Sequence, residues 1–296
     1  MQFRPTCLLA ATLLPWLPCA AAPTKPGVPE RFSVTSGKPL AEGEAPAGEA
    51  VMTVYHPLKP NGAAVLIYPG GGYATLMREP EGHGIAKWFG EHGVTGVVVE
   101  YRLPHGNSAL PLADAQRATR FVRLHSAGWK CDSRRVGNIG FSAGGHLAST
   151  AATHFDRGNP QASDPIDKQS CRPDFSILIY PVVTMGDKTH GGSKSQLLGP
   201  SPDAKAMETF SNEKQVTRDT SPTFLAHAEN DTLVVPANSA IYYEALLKNK
   251  VPAEYLKLPA GGHGLDGYQG PMWEAWKTAS LKWLAKQKFI PAADAN

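Results

Sequence analysis

The sequence predicts an α/β protein with a mostly parallel sheet of about eight strands, helices on both faces and a minimal lid, and two observations carry that prediction. Short apolar runs alternate along the chain with stretches whose apolar residues recur at helical spacing. Several of those runs, among them Ala64–Tyr68 and Phe175–Pro181, are apolar throughout, as strands covered on both faces must be. At 296 residues, 42% hydrophobic and 19% charged, the chain has ample material for one large core, and no linker divides it.

Residues 1–22 carry Arg4 as a minimal basic start, a Leu- and Ala-rich run, and then Cys19-Ala20-Ala21-Ala22, whose small residues suit signal-peptidase cleavage. A secretory signal is expected there, because Pro15 and Pro18 shorten the apolar part below what a membrane anchor needs. No other segment is apolar and long enough to span a bilayer. Residues 23–50, rich in Pro, Gly, Ala and Glu, read as an extended leader into the main domain, covering 51–290. Strands are expected at Val51–Tyr55 and Ala64–Tyr68, divided by the turn signal Pro60-Asn61-Gly62. A helix over 81–92 ends at Gly93, strand Val94–Tyr101 follows, and Leu112, Ala115, Ala118 and Val122 mark a helix over about 111–127. After it come a strand into Phe141, a helix over about 143–154, strand Phe175–Pro181 and an irregular stretch, 182–220. Strand Thr223–His227, helix 237–249, strand Ala253–Leu258 and a terminal helix 271–287 complete the chain.

The formal charge is +3, and loss of residues 1–22 removes only Arg4, so neither nucleic acid nor an anionic membrane is an expected partner. A small molecule or oligosaccharide is the expected partner. No cofactor and no metal are expected, since no His, Cys or carboxylate cluster has ligand spacing.

The chemistry centres on Gly140-Phe141-Ser142-Ala143-Gly144, a Gly-x-Ser-x-Gly run between an apolar strand and a helix of small residues. A reversal that tight lifts the serine hydroxyl off the end of a sheet and sets a helix N-terminus beneath it. Such a serine needs a base, an acid to orient the base, and donors for an oxyanion. Asp231 follows strand Thr223–His227, and His263 follows the last strand in Gly261-Gly262-His263-Gly264. Glu229 is the alternative acid. The order Ser, Asp, His is that of the α/β-hydrolase fold. Gly70-Gly71-Gly72 follows an early strand, so the N–H groups of Gly71, Gly72 and Ala143 are the expected oxyanion donors. Tyr73, beside that loop, either lines the alcohol side of the site by stacking on a sugar ring or belongs to the core. His146, one turn into the helix behind Ser142, should point away from the hydroxyl. Arg102 and Asp114 read as a buried pair, and Glu81, just past the glycine loop, as a helix start or a site residue.

From about Val51 to Leu284 the sequence resembles the small secreted α/β-hydrolases grouped as acetyl xylan and feruloyl esterases, relatives of the hormone-sensitive-lipase-like carboxylesterases. The resemblance rests on Tyr68-Pro69-Gly70-Gly71-Gly72-Tyr73, Glu100-Tyr101-Arg102-Leu103, Gly140 to Leu147, Asp231 with Val235-Pro236-Ala237-Asn238-Ser239, and Gly261-Gly262-His263-Gly264. It implies Ser142 as nucleophile, His263 as base and Asp231 as its orienter. Pro69 departs from the lipase-like relatives, which carry histidine before the glycines, and their long N-terminal cap is missing. The expected activity is that of a secreted or periplasmic serine esterase removing short acyl groups, acetyl above all, from xylan-type carbohydrate. A feruloyl esterase, a peptidase of the prolyl-oligopeptidase type and a noncatalytic binding protein of the same fold are the alternatives. Loss of Cys7 and Cys19 with the signal would leave Cys131 and Cys171. These stand about three residues before strands that neighbour each other in this fold, so a disulfide between them is expected.

Overall fold

The computed structural model describes residues 27–292. The signal reading of residues 1–22, with Cys7 and Cys19, lies outside them. In chain order the elements are β1 (Glu30–Ser33), β2 (Pro39–Leu40), β3 (Val51–Tyr55), β4 (Ala64–Tyr68), α1 (Gly84–Glu91), β5 (Thr95–Glu100), α2 (Ala109–His125), β6 (Val136–Phe141) and α3 (Ser142–Thr153). They continue with β7 (Ser176–Ile179), α4 (Gly191–Leu198), α5 (Ala204–Thr209), β8 (Thr223–Ala228), α6 (Ala237–Lys248), β9 (Ala253–Leu258), a distorted turn α7 (Leu265–Tyr268) and α8 (Gly270–Lys286).

Among the described residues nine strands form one sheet in the order β2-β1-β3-β5-β4-β6-β7-β8-β9. Strands β4 to β9 run parallel, which the intervening helices permit, and β1 to β3 form an antiparallel margin. Because side chains alternate across a strand, Leu66 and Tyr68 of β4 enter one core with Phe121 of α2, Leu147 of α3 and Tyr242 of α6. Val65 and Ile67 enter the other, against Phe89 of α1 and Trp273, Trp276 and Trp283 of α8. Each face of the sheet thus has its own apolar layer, and the carboxyl ends of β4, β6, β8 and β9 are left for function.

Three differences from the sequence reading have physical causes. The leader supplies β1 and β2, which lengthen the sheet to nine strands; neither is long enough to show a period of two. The stretch 182–220 contains α4, α5 and a tight turn at Asn212–Lys214, whose short helices bury too few apolar side chains to reveal a period. The expected disulfide is not formed, and Cys131 and Cys171 are free thiols. Cys131 Sγ lies 3.3 Å from Thr95 Oγ1 at the start of β5, whereas Cys171 Sγ accepts the Asp156 N–H, beyond α3, at 3.2 Å. Entering adjacent strands brought the two loops to one end of the sheet but turned their thiols toward different neighbours. The Cys171 loop is held instead by α2, whose Arg117 meets Asp164 at 2.6 Å and Asp167 at 2.7 Å while Arg120 meets Asp156 at 2.6 Å.

Candidate active site

Strand β6 enters α3 through Ser142, whose φ of 52° lies in the left-handed region that costs an ordinary residue about 1–2 kcal/mol. The packing around the turn leaves no alternative. A Cβ on Gly140 would overlap the Gly144 carbonyl, and one on Gly144 would overlap the Tyr68 carbonyl of β4. Ser142 is 7% exposed, and its Oγ lies 3.0 Å from His263 Nε2. His263 Nδ1 lies 2.7 Å from Asp231 Oδ2. Asp231 Oδ1 also accepts the Leu233 and Val234 N–H groups, at 2.9 and 3.0 Å. Burial pushes the Asp231 pKa up, but hydrogen bonds from His227 and His263 outweigh it and hold the carboxyl well below the usual range. Glu229, the alternative acid, makes none of these contacts among the described residues.

A second histidine stands behind the aspartate. His227, fully buried, has Nε2 2.8 Å from the Val234 carbonyl and 3.2 Å from Asp231 Oδ2, with Nδ1 2.8 Å from Ser239 Oγ. Nε2 meets two acceptors, so it carries the proton and donates toward both. The sequence offered one sign of this in the four-residue interval between His227 and Asp231.

The loop after β4 accounts for its polar groups one by one. Pro69 O accepts the Tyr101 hydroxyl at 2.7 Å, Gly70 O accepts the Met77 N–H at 3.0 Å, and Gly71 O accepts those of Ala74 and Thr75, each at 3.1 Å. The Gly70 N–H donates to Glu81 Oε2 at 2.7 Å. Among the described residues the N–H groups of Gly71 and Gly72 meet no acceptor, and Ala143, at the first turn of α3, has no carbonyl within its helix to reach. Glu81, read from sequence as a helix start or a site residue, lies in the helical turn Glu79–His83 that leads into α1, and its buried carboxylate accepts the Tyr180 hydroxyl on its other oxygen at 2.9 Å. The Tyr180 ring packs against His263, with centroids 4.8 Å apart. Burial raises the Glu81 pKa, against hydrogen bonds from Gly70 and Tyr180 that lower it. Its position just past the glycine loop marks it in the sequence as a site candidate, but the partners it joins leave no local pattern there.

Ser142, His263, Gly71 and Gly72 open into a cavity of about 500 Å³. Its wall also includes Met77, Leu233 and Tyr268, and His190, Ser195 and Gln196 from the α4 segment. A cleft of about 820 Å³ at the β1–β3 margin contains none of the expected site residues. Tyr73 does not line the site: it is 1% exposed, and its φ of 61° turns the ring inward, where its hydroxyl meets His146 Nδ1 at 2.9 Å. It belongs to the core and has no face to offer a sugar. His146 is buried and points away from Ser142, to Tyr73 and the Phe210 carbonyl. Arg102 and Asp114 do form the expected pair, closing at 2.6 Å over a carboxylate that is 2% exposed.

The parallel sheet with helices on both faces defines the class, an α/β-hydrolase fold shared with solved structures. A carboxylesterase from Lactobacillus plantarum matches 84% of this chain and 97% of its own at a TM-score of 0.70 and 22% identity, a likeness of fold. The chain belongs to the BD-FAE family, whose model matches residues 52–246. An acetyl ester-xyloside bifunctional hydrolase from Caldicellulosiruptor lactoaceticus is 35% identical, with a TM-score of 0.81 over 88% of this chain and 97% of that one. An acetylxylan esterase from Xylanibacter ruminicola is 33% identical over 73% of this chain and 44% of its own length. Endo-1,4-beta-xylanase B of Butyrivibrio fibrisolvens is 36% identical over 72% of this chain and 34% of its own. The chain therefore spans less than half the length of these two curated relatives.

Proposed function

We propose that the protein is an exported serine esterase that removes short acyl groups, acetyl above all, from xylan-type carbohydrate. The observation that carries this reading is the unbroken hydrogen-bonded chain Ser142 Oγ to His263 Nε2 to Asp231, opening beside two unpaired loop N–H groups. In the proposed reaction His263 Nε2 takes the Ser142 proton as Oγ attacks the acyl carbonyl. The N–H groups of Gly71, Gly72 and Ala143 hold the resulting oxyanion, and each such donor is worth about 3 kcal/mol. Asp231 keeps Nδ1 protonated and stabilises the imidazolium. His263 then protonates the departing alcohol, and water repeats the sequence on the acyl-enzyme. The names of the relatives support acetyl and xylan chemistry, and the pattern of residues 1–22 supports export. A peptidase of this fold that recognises a free N-terminus would need an acid for the substrate's ammonium group, and Glu81, the acid on the cavity wall among the described residues, already has both oxygens engaged.

The test is kcat/KM for nitrophenyl esters from acetate to decanoate, with acetate release from acetylated xylan oligomers, for the wild type and Ser142→Ala. Activity should be highest on the shortest esters, and the variant should stay folded while losing several orders of magnitude. A maximum at eight carbons or more, or a variant keeping over about a tenth of the activity, would replace the proposal.

A further inference from the structure

We infer that the α4 segment is the wall of the cavity that recognises the alcohol half of the ester, through hydrogen bonds to its free hydroxyls, with His190 as a fixed donor. The inference rests on the esterase reading above and adds where a polyhydroxylated alcohol is told from a plain one.

His190, Ser195 and Gln196 line the same cavity as Ser142 and His263. Their backbone is pinned. The Ser193 N–H closes on His190 Nδ1 at 3.2 Å and caps α4, Ser195 O accepts the Gly199 N–H at 2.9 Å, and Gln196 O accepts the Gly106 N–H at 2.7 Å. The functional ends of their side chains are not committed: among the described residues His190 Nε2, the Ser195 hydroxyl and the Gln196 amide meet no protein partner. Groups held at the main chain and left open at the tip are ready to bind without reorganisation.

His190 is the most constrained of the three. A Cβ on Gly192 would stand 3.1 Å from its Cε1, and one on Gly72 would stand 4.0 Å from the same atom, so the ring sits between α4 and the loop after β4. Nδ1 receives the Ser193 N–H and lies 2.9 Å from the Ser193 hydroxyl, which leaves the ring proton on Nε2. Burial, with His263 nearby, pushes its pKa below the ordinary histidine value, so the neutral donor form is the one present at neutral pH. Elsewhere the wall carries Ala74, Met77 and Leu233, the last 54% exposed, with Glu81 and Tyr268. The apolar side chains suit a short acyl chain, and the polar ones of the α4 segment suit the hydroxyls of a pyranose. A site built to hydrogen-bond an alcohol's hydroxyls discriminates against the analogue that lacks them.

Asparagine and glutamine separate the two nitrogens of His190. His190→Asn keeps an acceptor for the Ser193 N–H and loses the donor at the Nε2 position, whereas His190→Gln keeps a donor there and loses the cap. For each protein we would measure kcat/KM on acetylated xylobiose against nitrophenyl acetate, and on monoacetylglycerol against propyl acetate. In His190→Asn both ratios should fall at least tenfold, mainly through KM, and in His190→Gln they should recover to within about threefold of wild type. Equal losses on both members of each pair, or ratios unchanged from wild type, overturn the inference. A wild type inactive on acetylated xylobiose removes the carbohydrate reading. Hydroxyl recognition by α4 then still stands if monoacetylglycerol is preferred and the Asn variant abolishes the preference, and falls if it is not.

Discussion

His146 shows how much a single ring can set. Its Nδ1 meets the Tyr73 hydroxyl and its Nε2 the Phe210 carbonyl, so it is neutral in the fold, and burial pushes its pKa down to about 4. In the unfolded chain the same group titrates near 6.5. Between those two values the unfolded state binds a proton that the folded state refuses, so stability is greatest above about pH 6.5, falls as pH is lowered, and levels off near 4. A shift of this size corresponds to about 3 kcal/mol. Urea midpoints at pH 7 and pH 4.5 check it: His146→Gln should be less stable at pH 7 yet lose distinctly less than wild type on acidification. Parallel losses would show that other groups carry the slope. Asp231, whose pKa is held low, loses its contribution only at more acidic pH and does not confuse the comparison. Ser142, Asp231 and His263 were legible in the sequence because each stands just beyond a strand, where chain order alone fixes the neighbourhood. Tyr73 was not, because a left-handed backbone angle decided whether its ring faced the cavity or the core.

Among the elements, the loop after β4 depends on a residue it does not contain. Glu81 holds the Gly70 N–H with one oxygen and the Tyr180 hydroxyl with the other, so it ties the loop to the aromatic ring beside His263. Glu81→Ala leaves two buried donors unpaired, at about 1–3 kcal/mol each. The expected result is a lower melting temperature and a kcat on nitrophenyl acetate reduced between tenfold and a hundredfold, with KM little changed. Glu81→Gln, which still offers the Gly70 N–H a carbonyl, should recover part of kcat. A Glu81→Ala variant within twofold of wild-type kcat would refute the role. The parallel strands were legible from their apolar runs, but α4 was not: of Gly191–Leu198 only Ser193 and Leu197 are buried, and one apolar side chain sets no period.

At the scale of the whole molecule, the two apolar layers follow from alternating side chains on strands the sequence already announced, whereas the sheet's margin depends on pairing between segments distant in the chain. Strand β3 is buried from Val51 to Val54, and β1 covers its outer edge by antiparallel pairing at Glu30–Val54 and Ser33–Val51. A chain beginning at Val51 would present that apolar edge unpaired, an open template for other molecules. Light scattering and the soluble fraction of a lysate should then report large species, with a melting temperature below that of the chain from residue 27. Equal size and equal melting would show that the margin is dispensable. The practical reading concerns where a gene is cut. A reading frame opened at Val51 encodes the whole of the proposed site and every parallel strand described, and it would still be expected to deliver inclusion bodies. On that expectation, the few residues that keep the enzyme dispersed in a flask are written ahead of all those of the proposed site.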